Sequence, residues 1–292
     1  MRVPPLYDLA GTMRGLALIQ GDPTLSIGRS TAWFATRTPL GPGTLRIDLA
    51  AGFSAYGPGA DWLIERAEAI AGLRDDVDGF AELARQHPLV HRLAREHAGL
   101  RIGATGRVFH HLVPAIIGQK VSGKEAHHSY VRLLRRMSEP APGPKEGLFL
   151  PPDPAVIAAT PYWAFHPLGI EQKRADTLRR GAAAAAALER CGDAATCTAR
   201  LVSIAGIGPW TAAEVTRAAY GDADAVSVGD YNIKNNVAFA LTGAARGTDE
   251  EMLELLAPFA PHRGRVCGLI AAAGIGAPRF GPRIQLRSYA RF

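Results

Sequence analysis

Leu201-Val-Ser-Ile-Ala-Gly-Ile-Gly-Pro-Trp-Thr-Ala-Ala-Glu-Val215 runs from the end of one helix into the start of another. Leu201 and Ile204 keep helical spacing, and Gly206-Ile207-Gly208 interrupts it. Pro209 then opens a second helix at a position where its missing N–H costs nothing. Two glycines allow a sharp turn and a close approach to a ligand. The N–H groups at the start of the second helix have no partner within it and form an anion site. Such a hairpin can hold a DNA phosphate without reading a base. Two other readings compete: an ordinary helix–turn–helix packing corner and a dinucleotide-binding glycine loop. The loop reading lacks its third glycine, with Thr211 in that place, and it follows a helix rather than a strand. It also sets Pro209-Trp210 where a pyrophosphate needs room.

The chain has 292 residues, 47% hydrophobic and 21% charged, with a formal net charge of +6. That composition fits a globular protein with a sizeable core, and the basic balance permits a polyanionic partner without proving one. No run of eighteen apolar residues suggests a membrane span, and Met-Arg-Val-Pro-Pro-Leu-Tyr-Asp at the start has no signal-peptide apolar segment. A cytoplasmic location is the expectation. The three cysteines, Cys191, Cys197 and Cys267, lack Cys-x-x-Cys spacing. They argue against a disulfide framework or a zinc site. With only Cys267 beyond the hairpin, a four-cysteine iron–sulfur cluster has no ligands.

Short apolar runs at 15–20, 31–37 and 44–49, separated by Gly-Asp-Pro and Pro-Leu-Gly-Pro-Gly turns, predict strands. Residues 61–72 predict an amphipathic helix, with shorter helices over 80–85 and 89–97. Together these predict an α+β N-terminal domain with an antiparallel sheet over residues 1–98. From residue 99 to 292 the pattern is helical. Phe109, Leu112, Val113, Ile116 and Ile117 form a core-facing stripe. Ser122 and Glu125 have the spacing of a capping box for a helix reaching about residue 137. A Pro/Gly-rich connection over 139–154 leads to an alanine-rich helix over 171–190. Further helices are predicted over 194–204, 210–220, 231–241, 249–257 and 263–273. Arg279, Arg283, Arg287 and Arg291 make the tail basic. The paired histidines (His110-His111 and His127-His128) and the acidic run Asp75, Asp76, Asp78 carry no specific signal, the run reading as a solvated loop or a helix start.

Fifteen residues past Val215 stands Asp230, within Ala225-Val-Ser-Val-Gly-Asp-Tyr-Asn-Ile-Lys234. Read by itself, Asp230 could serve only to cap the helix that follows. A functional carboxylate is compatible with that duty, because a helix start favours negative charge. Trp210 could be a core aromatic or a pocket wall, and Gln119-Lys120 could be a solvated turn. The hairpin together with the Asp230 segment resembles the helix-hairpin-helix superfamily of DNA glycosylases, in particular the 3-methyladenine DNA glycosylase II type. The Gln119 loop and the N-terminal turns at 21–24 and 37–43 add to the resemblance, which spans most of the chain.

The resemblance implies a monofunctional enzyme of base excision repair that flips a damaged, alkylated purine out of duplex DNA and hydrolyses its N-glycosidic bond. A noncatalytic damaged-DNA-binding protein is the alternative. Asp230 would be catalytic. Trp210, Glu214 and Tyr231 would form the base pocket. Gln119, Lys120, Gly206, Gly208, Thr211 and Lys234 would contact DNA. Trp210 stands where lyase-competent relatives carry a nucleophilic Lys, which implies no lyase activity. Three positions depart from the pattern. Lys120 replaces a wedge leucine, Glu214 stands where the pocket often has an aromatic, and the last helix has no Trp to close the far wall. The resemblance implies no metal or nucleotide cofactor and admits a monovalent cation held by hairpin carbonyls. It further implies a monomer acting on double-stranded DNA containing damaged bases, associated with the nucleoid and not with a membrane.

Overall fold

The computed structural model describes residues 3–278; the basic tail from Arg279 onward lies outside them. A four-stranded antiparallel sheet in the order β1-β2-β3-β4 occupies the N-terminal part: β1 Leu25–Ile27, β2 Thr31–Thr38, β3 Gly41–Asp48 and β4 Gly52–Tyr56. The strands expected over 31–37 and 44–49 are β2 and β3, paired in register from Thr31 with Asp48 to Thr38 with Gly41. Residues 15–20 form no strand. Helix α1, Leu9–Leu16, takes the first two of them. Leu9, Thr12, Met13 and Leu16 bury one helical face, and the Asp8 carboxylate caps the first turn by accepting from Gly11 N at 2.8 Å. A helical stripe there outweighed the apolar run that follows it. β4 follows a turn held by Asp48, whose Oδ1 accepts from Ala50 N and Ala51 N. α2, Ala60–Ile70, covers one face of this sheet through Trp62, Leu63, Ala67 and Ile70.

The helical part is built around α5, Val108–Ile117, all ten of whose residues are buried. Both of its ends are completed by side chains from distant helices, as a buried helix requires. Glu189 accepts from Val108 N and Phe109 N, while Arg174 Nη1 donates to Ile117 O at 2.7 Å. α6, Gly123–Met137, starts with the expected capping box in full. The alanine-rich stretch is two helices rather than one, with Ala184 between α8, Gln172–Ala183, and the short α9, Ala185–Leu188. An unanticipated helix, α7, Pro154–Ala159, begins inside the Pro-Pro-Asp-Pro segment, where Asp153 caps and Pro154 starts the first turn. α10, Ala194–Val202, and α11, Pro209–Tyr220, flank the hairpin turn.

α3, Phe80–Ala84, and α4, Pro88–Glu96, were expected to close the N-terminal domain. They instead share a core with α12, Ile233–Thr242, α13, Asp249–Leu256, and α14, Arg263–Ala272. In the acidic run before α3, Asp76 and Asp78 are exposed and Asp75 is not. The Asp75 side chain is 3% exposed and forms a bidentate pair with Arg265 of α14, at 2.6 and 2.9 Å. A carboxylate taken from water needs such a partner. Of the paired histidines, His110 and His111 are buried and His128 is exposed; His110 bridges Thr24 and Thr36, and burial, followed by the Arg107 charge, depresses its pKa to about 3. Among the described residues no helix is long and apolar enough to cross a membrane.

Candidate active site

The hairpin turn joins α10 to α11 with two glycines in different conditions. Gly206 has φ +96°, and a Cβ on it would lie 2.2 Å from Thr177 Oγ1 on α8. The fold therefore requires glycine there. Gly208 has an extended backbone that any residue adopts, and nothing lies within 4 Å of where its Cβ would be. The turn is held from outside: Arg180 Nε donates to Ala205 O at 2.8 Å, and Gln119 Nε2 donates to Gly206 O at 3.0 Å. The same Gln119 amide also donates to Thr211 Oγ1 at 2.8 Å. Gln119 and Thr211, both expected at a DNA surface, thus join the α5–α6 loop to the hairpin. Thr211 is itself buried. No side chain caps the start of α11.

Lys120, at the tip of the α5–α6 loop, is exposed and has φ +55°. For a residue with a Cβ the left-handed region costs about 1–2 kcal/mol, a strain that tends to persist at functional surfaces.

Asp230 is held from both sides of its carboxylate. Oδ1 accepts from Asn232 N at 2.7 Å and from Ile233 N at 2.9 Å. Oδ2 accepts from the Trp210 indole at 3.1 Å. α12 starts two residues later than expected, at Ile233, and Asn232 rather than Asp230 occupies the cap position. Asp230 still takes the N–H groups of the cap and of the first helical residue, so it does the work of a cap from outside the helix. Its loop is tied down by Asp249, which accepts from Gly229 N at 3.1 Å and from Lys234 Nζ at 3.2 Å. Lys234 is therefore a partner of this loop, half-buried in an ion pair.

A cleft of about 770 Å³ lies between α1, α4, α11, α12 and α14, and it meets this edge through Ser227 and Ile233, both hydrogen-bonded to Asp230. Glu214, one helical turn beyond Trp210, lines it, as do Arg217 and Ser227. Glu214 accepts the Ser227 hydroxyl on Oε1 and Arg217 Nη2 on Oε2, the latter at 3.0 Å. Arg217 also donates to Gly15 O on α1. Cys267 lines the same cleft, and burial pushes its thiol up to about 12. Trp210, Gln119, Thr211 and Asp230 come together at the edge, and Glu214 lies in the cleft. Tyr231 joins neither group: it is 72% exposed. Arg217, Ser227 and Asp249 were not singled out in the sequence. The i, i+3 spacing of Glu214 and Arg217 was the one available signal for them.

The chain superposes on 3-methyladenine DNA glycosylase from Archaeoglobus fulgidus, with a TM-score of 0.76 and 15% identity over 93% of this chain and 97% of that one. The chain has the fold of the helix-hairpin-helix DNA glycosylases. The same glycosylase fold is shared with the 8-oxoguanine glycosylase/lyase of Clostridium acetobutylicum, at TM-score 0.60 and 11% identity over 85% of this chain and 98% of that one. It is shared too with the 3-methyladenine DNA glycosylase Mag1 of Schizosaccharomyces pombe, solved with abasic DNA, at TM-score 0.56 and 19% identity over 69% and 98%. No family model matches the chain, and no curated protein matches it in sequence.

Proposed function

We propose that this protein is a monofunctional DNA glycosylase that extrudes a damaged purine from duplex DNA and hydrolyses its N-glycosidic bond. The observation that carries the reading is the Asp230 carboxylate, fixed by two backbone N–H groups and the Trp210 indole beside the hairpin and the cleft. A base inside a duplex is out of reach until it is flipped. As the bond from C1′ to the base nitrogen lengthens, its electron pair leaves with the base and the sugar becomes oxocarbenium-like. A fixed carboxylate stabilises that cation. Water then adds to C1′, and the carboxylate receives or relays the proton that water loses. Oδ2 keeps an acceptor direction for this after accepting the indole N–H.

Lyase chemistry would need an amine attacking C1′. Position 210 offers an indole, and Lys234 is engaged with Asp249. Gly208, Lys120 and the uncapped start of α11 are assigned to the DNA backbone and to the gap left by the extruded base. Two hairpin carbonyls, those of Ala205 and Gly206, already accept side-chain N–H groups. A monovalent cation would fall to the other carbonyls of the turn, and no step depends on one.

The test is release of free base from duplexes carrying 7-methylguanine, 3-methyladenine or hypoxanthine, with the products identified by mass. The expected product strand holds an intact abasic site that breaks only with added alkali. A covalent protein–DNA adduct trapped by borohydride would overturn the monofunctional assignment. Tight binding to damaged duplex with no base released from any of the three would favour the noncatalytic binder.

A further inference from the structure

One wall of the cleft, built from Ser227, Glu214 and Arg217, is charged and ordered. Ser227, Glu214 Oε1, Glu214 Oε2 and Arg217 follow one another along it, joined by the hydroxyl on Oε1 and the guanidinium on Oε2. Ser227 belongs to the Asp230 loop, since its carbonyl accepts from Asp230 N. Glu214 is only 15% exposed, so its charge acts in a partly desolvated place. Arg217 is held from its other side by Gly15 O. Each carboxylate oxygen keeps one acceptor direction after these bonds. The cleft therefore presents acceptor, acceptor, donor in a fixed order.

We propose that Glu214 and Arg217 read the extruded base and select a guanine-type edge, a reading that rests on the glycosylase function above. A guanine-derived base, whether alkylated at N7 or oxidised at C8, offers N2–H, N1–H and O6 in sequence: donor, donor, acceptor. Glu214 takes the two N–H groups and Arg217 takes O6. An adenine-derived base offers the lone pair of N1 beside the N6 amine, and that lone pair would face a carboxylate oxygen. A site built around buried hydrogen-bonding groups rejects a base that leaves them unpaired more strongly than an apolar pocket does. Position 214 is thus a specificity position, and its charge is the discriminating element.

Two measurements on the full chain test this. The first is calorimetric titration with free 7-methylguanine and free 3-methyladenine, which needs no catalysis. The wild type should prefer 7-methylguanine by roughly tenfold to a hundredfold, the scale of a bidentate base contact. Glu214→Gln, which keeps size and removes one acceptor, should lose that preference. The second is the rate of release of the two bases from duplex DNA, where Glu214→Gln should slow 7-methylguanine far more than 3-methyladenine. Ser227→Ala, which keeps the carboxylate, should retain the preference, and melting curves of all three proteins check the fold. Equal effects of Glu214→Gln on both bases, no preference in the wild type, or no binding of either free base would overturn the proposal. If free-base binding depends on Glu214 but no base is released from DNA, the specificity assignment stands and the catalytic one falls.

Discussion

The edge that carries Asp230 and the cleft that meets it are made from different kinds of contact. At the edge, Asp230 is held by N–H groups two and three residues away and by an indole twenty residues back. In the cleft, Arg217 reaches Gly15 across 202 residues, and Arg265 of its lining is held by Asp75 across 190. The Asp230 carboxylate is held within one stretch of chain, and Gln119 alone comes to the edge from afar, across 87 and 92 residues to Gly206 and Thr211. The cleft exists only after remote segments have met. The division has a functional counterpart: the edge is assigned to grip and rate, the cleft to the choice of base.

The sharpest way to break that division is Asp230→Asn. It keeps size and most hydrogen bonds but removes the charge, so folding and DNA affinity should survive. Release of every lesion should fall by roughly a hundredfold or more, the scale lost with one electrostatic stabiliser. Single-turnover rates on slowly released hypoxanthine give the clearest reading, and a loss confined to one lesion would merge the two roles. Next in size is the glycine pair. Gly206→Ala meets Thr177 and an unfavourable φ, and it should lower stability by about 1–3 kcal/mol in urea unfolding. Gly208→Val should leave the urea midpoint nearly unchanged and weaken binding to damaged and undamaged duplexes alike. Unchanged affinity in that variant would remove the hairpin from the DNA surface.

Trp210→Phe keeps a ring and deletes the indole donor. A hydrogen bond to a charged group is worth about 1.5–3 kcal/mol, of which the rate should register a part, roughly a tenfold slowing with intact fold. A rate equal to wild type would mean that the backbone N–H groups alone position Asp230. The smallest effect is expected at Lys120→Gly. Relief of the left-handed backbone should leave stability equal or raise it by up to about 1 kcal/mol, while release from duplex DNA slows more than release from single strands. A variant that is less stable and equally fast would make the backbone conformation a structural matter only.

The same division explains what could be read from the sequence. The hairpin, the Ser122–Glu125 capping box and the Asp230 segment are legible because their geometry is set by residues a few positions apart. Strands β2 and β3 were legible from the turns that separate them, whereas β1, with three residues, is too short to show a period. The pairing of Asp75 with Arg265 was hidden because a carboxylate at a loop looks solvated until a distant guanidinium covers it. For the same reason the packing partners of α3 and α4 are not legible: nothing local says that α12–α14 cover their apolar faces. Tyr231, next to Asp230 in sequence, is exposed, and adjacency in sequence alone does not tell which side of a turn a side chain takes.

The packing of α3 and α4 against the last helices has a consequence for synthesis. Elements fold as they emerge, earliest first. The sheet and the α5-centred core can close once residue 220 has left the ribosome, and the hairpin with them. Phe80, Val90 and Leu93 must wait for Met252, Leu256, Val266 and Leu269. A nascent chain therefore carries a completed DNA-gripping half and an uncovered apolar face at the same time. A chain stopped near residue 245 would keep that face open to chaperones and to other chains, because Met252, Leu256, Val266 and Leu269 have yet to cover it.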